Sequence, residues 1–313
     1  MISILYGSYG KPMIECTERF YTGGMGAFIP PGDGERLGVV GTDPDPGVKK
    51  VIAVHQCLED GRQVLTTIGA DQCARISPGG HLTLEENHPE KAVERLSNLH
   101  KNMVELPERP ADEYMEQVMS CMHVRGTERI LEIGGNVGRN TAVLGQIMKE
   151  AGAGGSVIAL ETLGDEAGRL EKLVKANGFP VKVVNAALSR TELVQHGWRT
   201  APKGQAGTEG WRDVQCVTLE ELTREGTFDT LVVDCEGALE GILAEWPELL
   251  ETVNVVQIEN DFDTKDSAAN VMRALRKAGF FLWFSAPLQH CWCSFPLQHQ
   301  FYQIFRKKDR REE

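Results

Sequence analysis

The hydrophobic pattern of the 313-residue chain changes character twice along its length. Up to about residue 80, short β-rich apolar runs alternate with turns rich in glycine and proline, which predicts a small all-β domain. From residue 81 to 125, apolar residues recur with helical spacing, so we expect two helices that form a linker or a lid. From residue 126 to 313, apolar runs alternate with helical patterns, which is typical of an α/β domain with a parallel sheet. The predicted segments are therefore 1–80, 81–125 and 126–313.

The same pattern predicts the individual elements. In the first two segments we expect strands at residues 2–6, 26–29, 50–56 and 63–68, and helices at 85–106 and 111–124. In the last segment we expect strands at 129–133, 156–160, 181–185, 214–217, 228–234, 253–259, 280–285 and 300–306, and helices at 139–151, 165–177, 216–224, 238–250 and 264–278. Proline and glycine predict turns at 30–34 and 43–47, and residues 196–211 are predicted to be irregular. Because no helix separates the last two strands, they indicate an antiparallel hairpin added to a mostly parallel seven-stranded sheet.

Charge and composition narrow the possible partners. The formal net charge is -12, which argues against non-specific binding to nucleic acid or to an anionic membrane, since either kind of binding requires a basic surface. No apolar run reaches the roughly 18–20 residues of a membrane span, and we expect no secretory leader. The eight cysteines are scattered, as expected for reduced thiols. We therefore expect a cytoplasmic protein that does not bind nucleic acid.

One strand–turn–helix stretch carries the strongest chemical signal. The apolar run 130–133 predicts a buried strand, and Gly134, Gly135 and Gly138 follow before a helix begins near Arg139. Glycines permit positive φ and the close approach of a ligand, and the helix N-terminus offers free N–H groups. This arrangement indicates a site for an adenosine-containing cofactor.

The spacing of these glycines differs from the nicotinamide-binding pattern and is similar to that of S-adenosylmethionine-dependent methyltransferases of the Rossmann-like class I fold, to which the terminal strand pair also belongs. This resemblance implies that Glu132 counters the cationic amino group and the sulfonium. It also implies that Glu161, which follows the second strand, accepts hydrogen bonds from the ribose hydroxyls.

Three motifs narrow the resemblance. Residues 131–138, 185–189 and 229–240 resemble motifs of the FkbM family of methyltransferases, over residues 128–262 in all. The resemblance implies methylation of a hydroxyl on a sugar, polyketide or other small molecule, including a glycan. It also implies a set of residues that bind S-adenosyl-L-methionine, namely Glu132, Gly134, Gly135, Asn136, Gly138, Asn140, Glu161, Thr162, Ala186, Ala187 and Asp234.

The N-terminal segment resembles, through Tyr6-Gly7, Cys16-Thr17 and residues 43–50, a small β module found in J-domain co-chaperones. This resemblance implies a folded β unit without chemistry of its own. We expect this unit either to bind a protein partner or to mediate homo-oligomerisation.

Methyl transfer to a hydroxyl requires alignment of the acceptor and removal of a proton. Asp234 and Glu236 end the fourth strand of the α/β segment and are the candidate general bases. Asp234, Glu259 and Asn260 form a candidate site for a divalent metal such as Mg²⁺, which would lower the pKa of the hydroxyl. The alternative is that these acids cap the helices that follow them.

Other interpretations stay open from the sequence alone. His196, Trp198 and Trp211 are candidates for the acceptor pocket, and His290, Cys291, Cys293 and His299 have a weak zinc-like pattern. The enzyme could instead be an N- or carboxyl-methyltransferase acting on a protein or a small molecule. The remaining alternative is a non-catalytic binding or scaffold protein with a degenerate methyltransferase fold.

Overall fold

The computed structural model describes residues 2–22, 24–58, 60–85, 88–205, 209–288 and 295–307. Its N-terminal elements are β1 (Ile2–Gly7), β2 (Ile14–Glu15), α1 (Thr17–Phe20), β3 (Ala27–Ile29), α2 (Asp33–Val40), β4 (Val51–Cys57), β5 (Gln63–Ile68), β6 (Cys73–Ile76) and β7 (Leu82–Glu85). They form two antiparallel sheets with the strand orders β2-β1-β4-β5 and β3-β6-β7. Tyr6, Phe20, Ile29 and Ile52 belong to their shared core.

Two short helices correct the prediction of a purely β N-terminal segment. The predicted turn at residues 30–34 instead leads into α2, which begins after Gly32 (φ 86°) with Asp33 and Glu35 in its first turn. The acids favour a helix start because they complement the positive end of the helix dipole. The region is thus mainly β, with α1 and α2 added.

The middle of the chain contains the parallel sheet. Its elements are α3 (His88–Asn102), α4 (Tyr114–His123), β8 (Arg129–Ile133), α5 (Arg139–Ala151), β9 (Ser156–Leu160), α6 (Gly164–Asn177), β10 (Val181–Val184), β11 (Ala187–Leu188), β12 (Leu193–His196), β13 (Arg199–Pro202), β14 (Arg212–Val214), β15 (Cys216–Val217), α7 (Leu219–Leu222), β16 (Thr230–Val233), α8 (Leu239–Glu245), α9 (Leu249–Thr252) and β17 (Val255–Glu259). The last elements are α10 (Lys265–Lys277), β18 (Phe280–Ala286) and β19 (Tyr302–Lys307).

The order of the strands confirms the predicted fold class. Seven strands of the described residues are hydrogen-bonded in the order β10-β9-β8-β16-β17-β19-β18. The first five are parallel, whereas β18 and β19 are antiparallel to each other. A dinucleotide-binding sheet would place its sixth strand directly beside the fifth. The sheet is therefore that of a Rossmann-like class I methyltransferase domain.

The segment predicted to be irregular is in part a small antiparallel sheet, with the order β13-β12-β14. β12 and β13 form a hairpin in which His196 pairs with Arg199, so that Gly197 and Trp198 are its two turn residues. Gly197 has φ 58°, which is the conformation that a tight hairpin of this kind requires at its first turn position.

Contacts between Cα atoms divide the chain into two compact units, Met1–His88 with Thr264–Glu313, and Pro89–Asp263. The sequence-based division instead assigned residues 264–313 to the methyltransferase segment. Within the second unit, α3, α4 and α5 share one core, which includes Leu96, Val118, Ile147 and Val157. None of the helices formed by the described residues combines the length and hydropathy of a membrane span.

Candidate active site

A cavity of about 550 Å³ lies where the parallel strands end, within the unit of residues 89–263. Four strands each contribute their last residue or the next one, namely Ile133, Leu160, Asp234 and Glu259. This is the edge at which open α/β sheets bind ligands, and the volume is typical of small-molecule sites. Among the described residues, eight acids and no Lys, Arg or His line the cavity: Glu113, Glu161, Asp234, Glu236, Glu240, Glu245, Glu259 and Asp261. The lining thus favours cationic or neutral ligands over anions.

The turn after β8 is compact because its glycines lie against neighbouring protein. Gly134 has φ 94°, and a Cβ at this position would lie 1.6 Å from the backbone oxygen of Asp234. Gly138 has φ 96°, and its Cβ would lie 2.7 Å from the Cδ1 atom of Leu170. The sequence interpretation attributed these glycines to positive φ and to the approach of a ligand, and both residues have positive φ. Positive φ favours glycine at both positions, and at Gly134 the Asp234 backbone also leaves no room for a Cβ.

Glu161 directly follows β9 and is held rigidly at the cavity wall. The backbone N–H of Asn136 donates to its Oε2 atom at 2.8 Å, and the backbone N–H of Leu163 donates to Oε1 at 2.7 Å. Burial raises the pKa of Glu161, and these two hydrogen bonds counteract the rise. Since a carboxylate oxygen can accept more than one hydrogen bond, both oxygens keep acceptor capacity for a ligand hydroxyl.

The predicted cofactor residues fall into two groups. Those that line the cavity are Gly134, Asn136, Glu161, Thr162, Ala186, Ala187 and Asp234, and those that do not are Glu132, Gly135, Gly138 and Asn140. Glu132 lies behind the glycine turn, where the Asn140 Nδ2 group donates to its Oε1 atom at 3.2 Å. Burial raises the pKa of Glu132 to about 8. Glu132 and Asn140 therefore support the turn from within the protein.

Backbone strain is concentrated at the cavity. Glu113, Asn136 and Glu236 are non-glycine residues with φ of 57°, 47° and 52°, and all three line it. Such conformations cost about 1–3 kcal/mol each and tend to occur at functional sites. Glu113, which the sequence interpretation missed, is fixed by an ion pair with Arg139 at 2.6 Å and by a hydrogen bond from the Asn136 side chain at 3.2 Å.

Three carboxylates meet at the ends of β16 and β17, and we call Glu116, Asp234 and Glu259 the carboxylate triad. One oxygen of each side chain lies within 4.8 Å of one oxygen of each of the other two. Burial raises the pKa of Glu116 to about 8, and burial with nearby acids raises the pKa of Asp234 and of Glu259 well above their ordinary values. Asn260, the third predicted metal ligand, is fully buried beside Glu259 and does not line the cavity.

Glu116 reaches this position because a polar face of α4 packs on β17. The Gln257 Nε2 group donates to the backbone oxygen of Glu116 at 3.1 Å, and the Gln257 Oε1 atom contacts the His123 Nε2 atom at 2.9 Å. Glu259 lies two residues beyond Gln257 and thus on the same side of the strand. Glu116, Ser120 and His123 recur with helical spacing on α4, which indicates a polar face in the sequence without specifying that this face packs on β17.

Trp198 also lines the cavity and is 53% exposed. Of the other two aromatic candidates for the acceptor pocket, His196 stacks on Trp211 with ring centroids 5.7 Å apart, and neither lines the cavity. Glu236 lines the cavity, and its pKa is raised by burial and lowered by Arg199, which forms an ion pair with Asp263.

The zinc-like pattern cannot be assembled from the described residues, because His290, Cys291 and Cys293 lie outside them. His299 is described, and it lines a different cavity in the unit that includes residues 264–313.

No family model and no curated protein matches the sequence. Among solved structures, fibrillarin from Aeropyrum pernix in complex with natively bound S-adenosyl-L-methionine is 13% identical, with 82% of this chain and 92% of that chain covered and a TM-score of 0.36. The O-methyltransferase from Bacillus cereus in complex with SAH is 14% identical, with 71% and 89% covered and a TM-score of 0.36. A fibrillarin/Nop5p complex is 15% identical, with 59% and 75% covered and a TM-score of 0.38.

These similarities are too distant to assign an activity to this chain. Its fold class follows from its own strand order. Fold and site together define a Rossmann-like α/β domain with an acidic small-molecule cavity at the carboxyl ends of its strands.

Proposed function

We propose that the chain is an S-adenosylmethionine-dependent methyltransferase. The observation that carries this proposal is the Glu161 carboxylate, which two backbone N–H groups hold at the end of β9 inside the acidic cavity. A carboxylate at this place suits the two hydroxyls of a ribose. The cofactor would contribute a methyl group on a cationic sulfonium, and the excess of acids in the lining suits that charge.

The residues available for the cofactor are consistent with its chemistry. Gly134 and Asn136 line the wall beside Glu161, and Ala186 and Ala187 offer a small apolar surface on which an adenine could lie. Glu113 adds an acid near Asn136 that could interact with the amino group of the methionine portion. Glu132, which is buried behind the turn, would act on the cofactor through the turn and not by contact.

For the acceptor, we propose a hydroxyl on a sugar, a polyketide or another small molecule, including a glycan. The support is the motif of residues 229–240, which resembles the FkbM family, together with a cavity that continues past Asp234 to Trp198. Asp234 and Glu236 both line the cavity just after β16 and are the proposed general bases. Their role would be to take the hydroxyl proton as the methyl group is transferred.

A divalent metal such as Mg²⁺ stays part of the proposal, with Asp234, Glu259 and Asn260 as the ligands expected from the sequence. When bound, it would lower the pKa of the acceptor hydroxyl. For the N-terminal region, we propose that it binds a protein partner or mediates homo-oligomerisation, since a β unit without chemistry of its own suits such a role. We also propose that the protein acts in the cytoplasm.

Calorimetry with S-adenosylmethionine and S-adenosylhomocysteine tests the cofactor. We expect both to bind the wild-type chain, and we expect Glu161→Gln to weaken both by about tenfold or more, because it replaces a charged acceptor with an amide. Glu171→Gln, the same substitution at an exposed position of α6, is the matched control. The absence of binding at millimolar ligand would contradict the enzyme and would favour the scaffold interpretation.

Transfer of a labelled methyl group to components of a metabolite extract tests the reaction. An O-methyl ether resists mild alkali, whereas a carboxyl methyl ester is hydrolysed, and an N-methyl product retains a basic nitrogen. The product therefore separates the hydroxyl acceptor from the N- and carboxyl-methyltransferase alternatives. Activity that survives both Asp234→Ala and Glu236→Ala would overturn the assignment of the base.

A further inference from the structure

The carboxylate triad has the spacing of a cation site. Glu116, Asp234 and Glu259 come from α4, the end of β16 and the end of β17, and their oxygens lie within 4.8 Å of one another. Two oxygens on opposite sides of an ion at about 2.4 Å are separated by about 4.8 Å, so small side-chain adjustments would let one cation contact all three.

The groups that act most strongly on the triad include no Lys, Arg or His, so bound protons or a cation have to offset its charge. Besides the triad itself, the charged groups that act most strongly on its members are Glu113, Glu236 and Asp261, which are all acids. Like charges held this close in a buried site repel strongly unless protons or a cation lie between them.

Two buried oxygens provide a second, independent observation. The Oε2 atom of Glu116 and the Oδ2 atom of Asp261 have no hydrogen-bond partner among the described residues. The two residues are only 4% and 7% exposed, and Asp261 lines the cavity beside Glu259. A buried acceptor without a partner is costly, so each oxygen marks a place for a donor or a cation.

We propose that Glu116, Asp234 and Glu259 bind one divalent cation of the hard, oxygen-preferring kind, such as Mg²⁺, Mn²⁺ or Ca²⁺. The donor set consists of carboxylate oxygens, which is the ligand type that these ions select. The new element is Glu116, a ligand from outside the parallel sheet that the sequence interpretation did not include. The cation ties the first turn of α4 to the ends of β16 and β17.

The proposed metal site also bears on catalysis, an inference that rests on the proposed function. Asp234 and Glu259 both line the cavity, so an ion held by the triad lies at the wall that the acceptor would face. Glu116 would then be required for the metal while making no contact with the methyl donor.

Direct binding of metal alone provides the test. The full chain is freed of metal with a chelator and titrated with Mn²⁺, followed by electron paramagnetic resonance of the free ion, and with Mg²⁺ and Ca²⁺ by calorimetry. We expect one saturable site in the wild-type chain. We expect Glu116→Gln, which keeps the shape of the side chain and removes its charge, to weaken Mn²⁺ binding by at least about tenfold.

Glu161→Gln is the matched control, because it changes a buried acid of the same cavity outside the triad. It should keep the affinity for Mn²⁺ and lose affinity for S-adenosylmethionine, whereas Glu116→Gln should do the reverse. Circular dichroism and thermal unfolding confirm that both variants are folded. The proposal is overturned if the wild-type chain shows no saturable Mn²⁺ site, or if Glu116→Gln binds Mn²⁺ as the wild type does.

The two proposals fail separately in this design. Mn²⁺ binding without binding of S-adenosylmethionine would retain the metal site and reject the methyltransferase. Binding of S-adenosylmethionine without Mn²⁺ binding would retain the methyltransferase and reject the metal site.

Discussion

Glu132 combines deep burial with a carboxyl group, and this makes the stability of the protein depend on pH. Its side chain is 2% exposed, and burial raises its pKa from 4.5 to about 8. Below about pH 4.5, the carboxyl is protonated in the folded and the unfolded chain, and its contribution to stability is complete. As the pH rises towards 8, the unfolded chain releases the proton more readily than the folded chain, so this contribution is lost.

We therefore expect Glu132→Gln to flatten the pH dependence of stability. The amide keeps an oxygen for the Asn140 side chain and cannot ionise. Relative to the wild type, the variant should gain a few kcal/mol in the free energy of unfolding between pH 5 and pH 8. Urea unfolding at the two pH values measures this difference, with exposed Glu171→Gln as the control. An unchanged difference between pH 5 and 8 would show that Glu132 does not carry the pH effect.

The sequence predicted the site residues that belong to a local pattern. It missed the site residues that only tertiary packing places near the cavity. Gly134 and Glu161 each follow a predicted strand and precede a predicted helix, so their place at the strand ends was predictable from local pattern. Glu113 and Glu116 have no such motif. Glu113, the residue before α4, lines the cavity, and Glu116 meets Asp234 and Glu259 because α4 packs on β17 through Gln257. No spacing along the chain specifies that contact.

At the scale of elements, the turn between β8 and α5 depends on the absence of a side chain. We expect Gly134→Ala to lower the free energy of unfolding by about 3 kcal/mol or more, because φ is positive and the Cβ would overlap the backbone oxygen of Asp234. Gly168→Ala is the matched control within α6, since its Cβ would meet nothing within 4 Å. It should raise stability by roughly 0.5–1 kcal/mol. Urea unfolding of both variants provides the comparison, and equal effects would contradict the steric explanation.

The helix α2, which the sequence did not predict, is organised around a buried arginine. Arg36 is fully buried, and its guanidinium donates to the backbone oxygens of Pro30, Ile68, Gly69 and Gln72 at 2.7–3.3 Å. Burial lowers its pKa, although nearby Asp33 opposes this shift. An arginine in a short polar stretch gives no local sign that it will satisfy four carbonyls brought together by the fold.

We expect Arg36→Met to destabilise the protein by about 3–5 kcal/mol, because it leaves several buried carbonyls without a donor. Arg62→Met is the control, since Arg62 forms an exposed ion pair with Asp60 and its loss should change stability by less than about 1 kcal/mol. Thermal unfolding followed by circular dichroism measures both. A midpoint for Arg36→Met that equals that of Arg62→Met would contradict the structural role of Arg36.

The hairpin of β12 and β13 was only partly predictable from the sequence. The glycine-rich stretch was expected to be irregular, yet Gly197 and Trp198 form a two-residue connection between short paired strands. Glycine at the first turn position was a usable local signal. The pairing of β12 with β14 was not readable, because the intervening residues 203–211 carry no turn pattern that specifies the register.

At the scale of the whole molecule, the alternation of apolar runs and helical patterns predicted the sheet, including its terminal antiparallel pair. The division into two compact units could not be predicted from the sequence in the same way. Contacts group residues 1–88 with residues 264–313, which are far apart in sequence. Hydrophobic periodicity shows which face of an element is buried, but it does not show which other element packs against that face. The proposal that the N-terminal region recruits a partner depends on that unit and is separate from the cavity in the other one.

The charge of the molecule and of its cavity have the same sign, and this limits the acceptor. The chain has 45 acidic and 33 basic residues, and the described lining of the cavity contains eight acids without a Lys, Arg or His. A phosphorylated acceptor would bring additional negative charge into a lining whose eight acids outnumber the two charges of the proposed cation, and like-charge juxtaposition costs up to several kcal/mol. We expect kcat/KM to fall by at least about tenfold when an acceptor found in the labelled-methyl screen is replaced by its phosphate ester.

A neutral ester of similar size separates charge from bulk in this comparison. If size alone limits access past Trp198, the neutral ester and the phosphate ester should lose activity equally. If the acids set the preference, the neutral ester should keep most of the activity and the phosphate ester should lose it. A phosphate ester that is methylated as fast as its parent, or faster, would contradict the prediction that the acids of the lining set the preference.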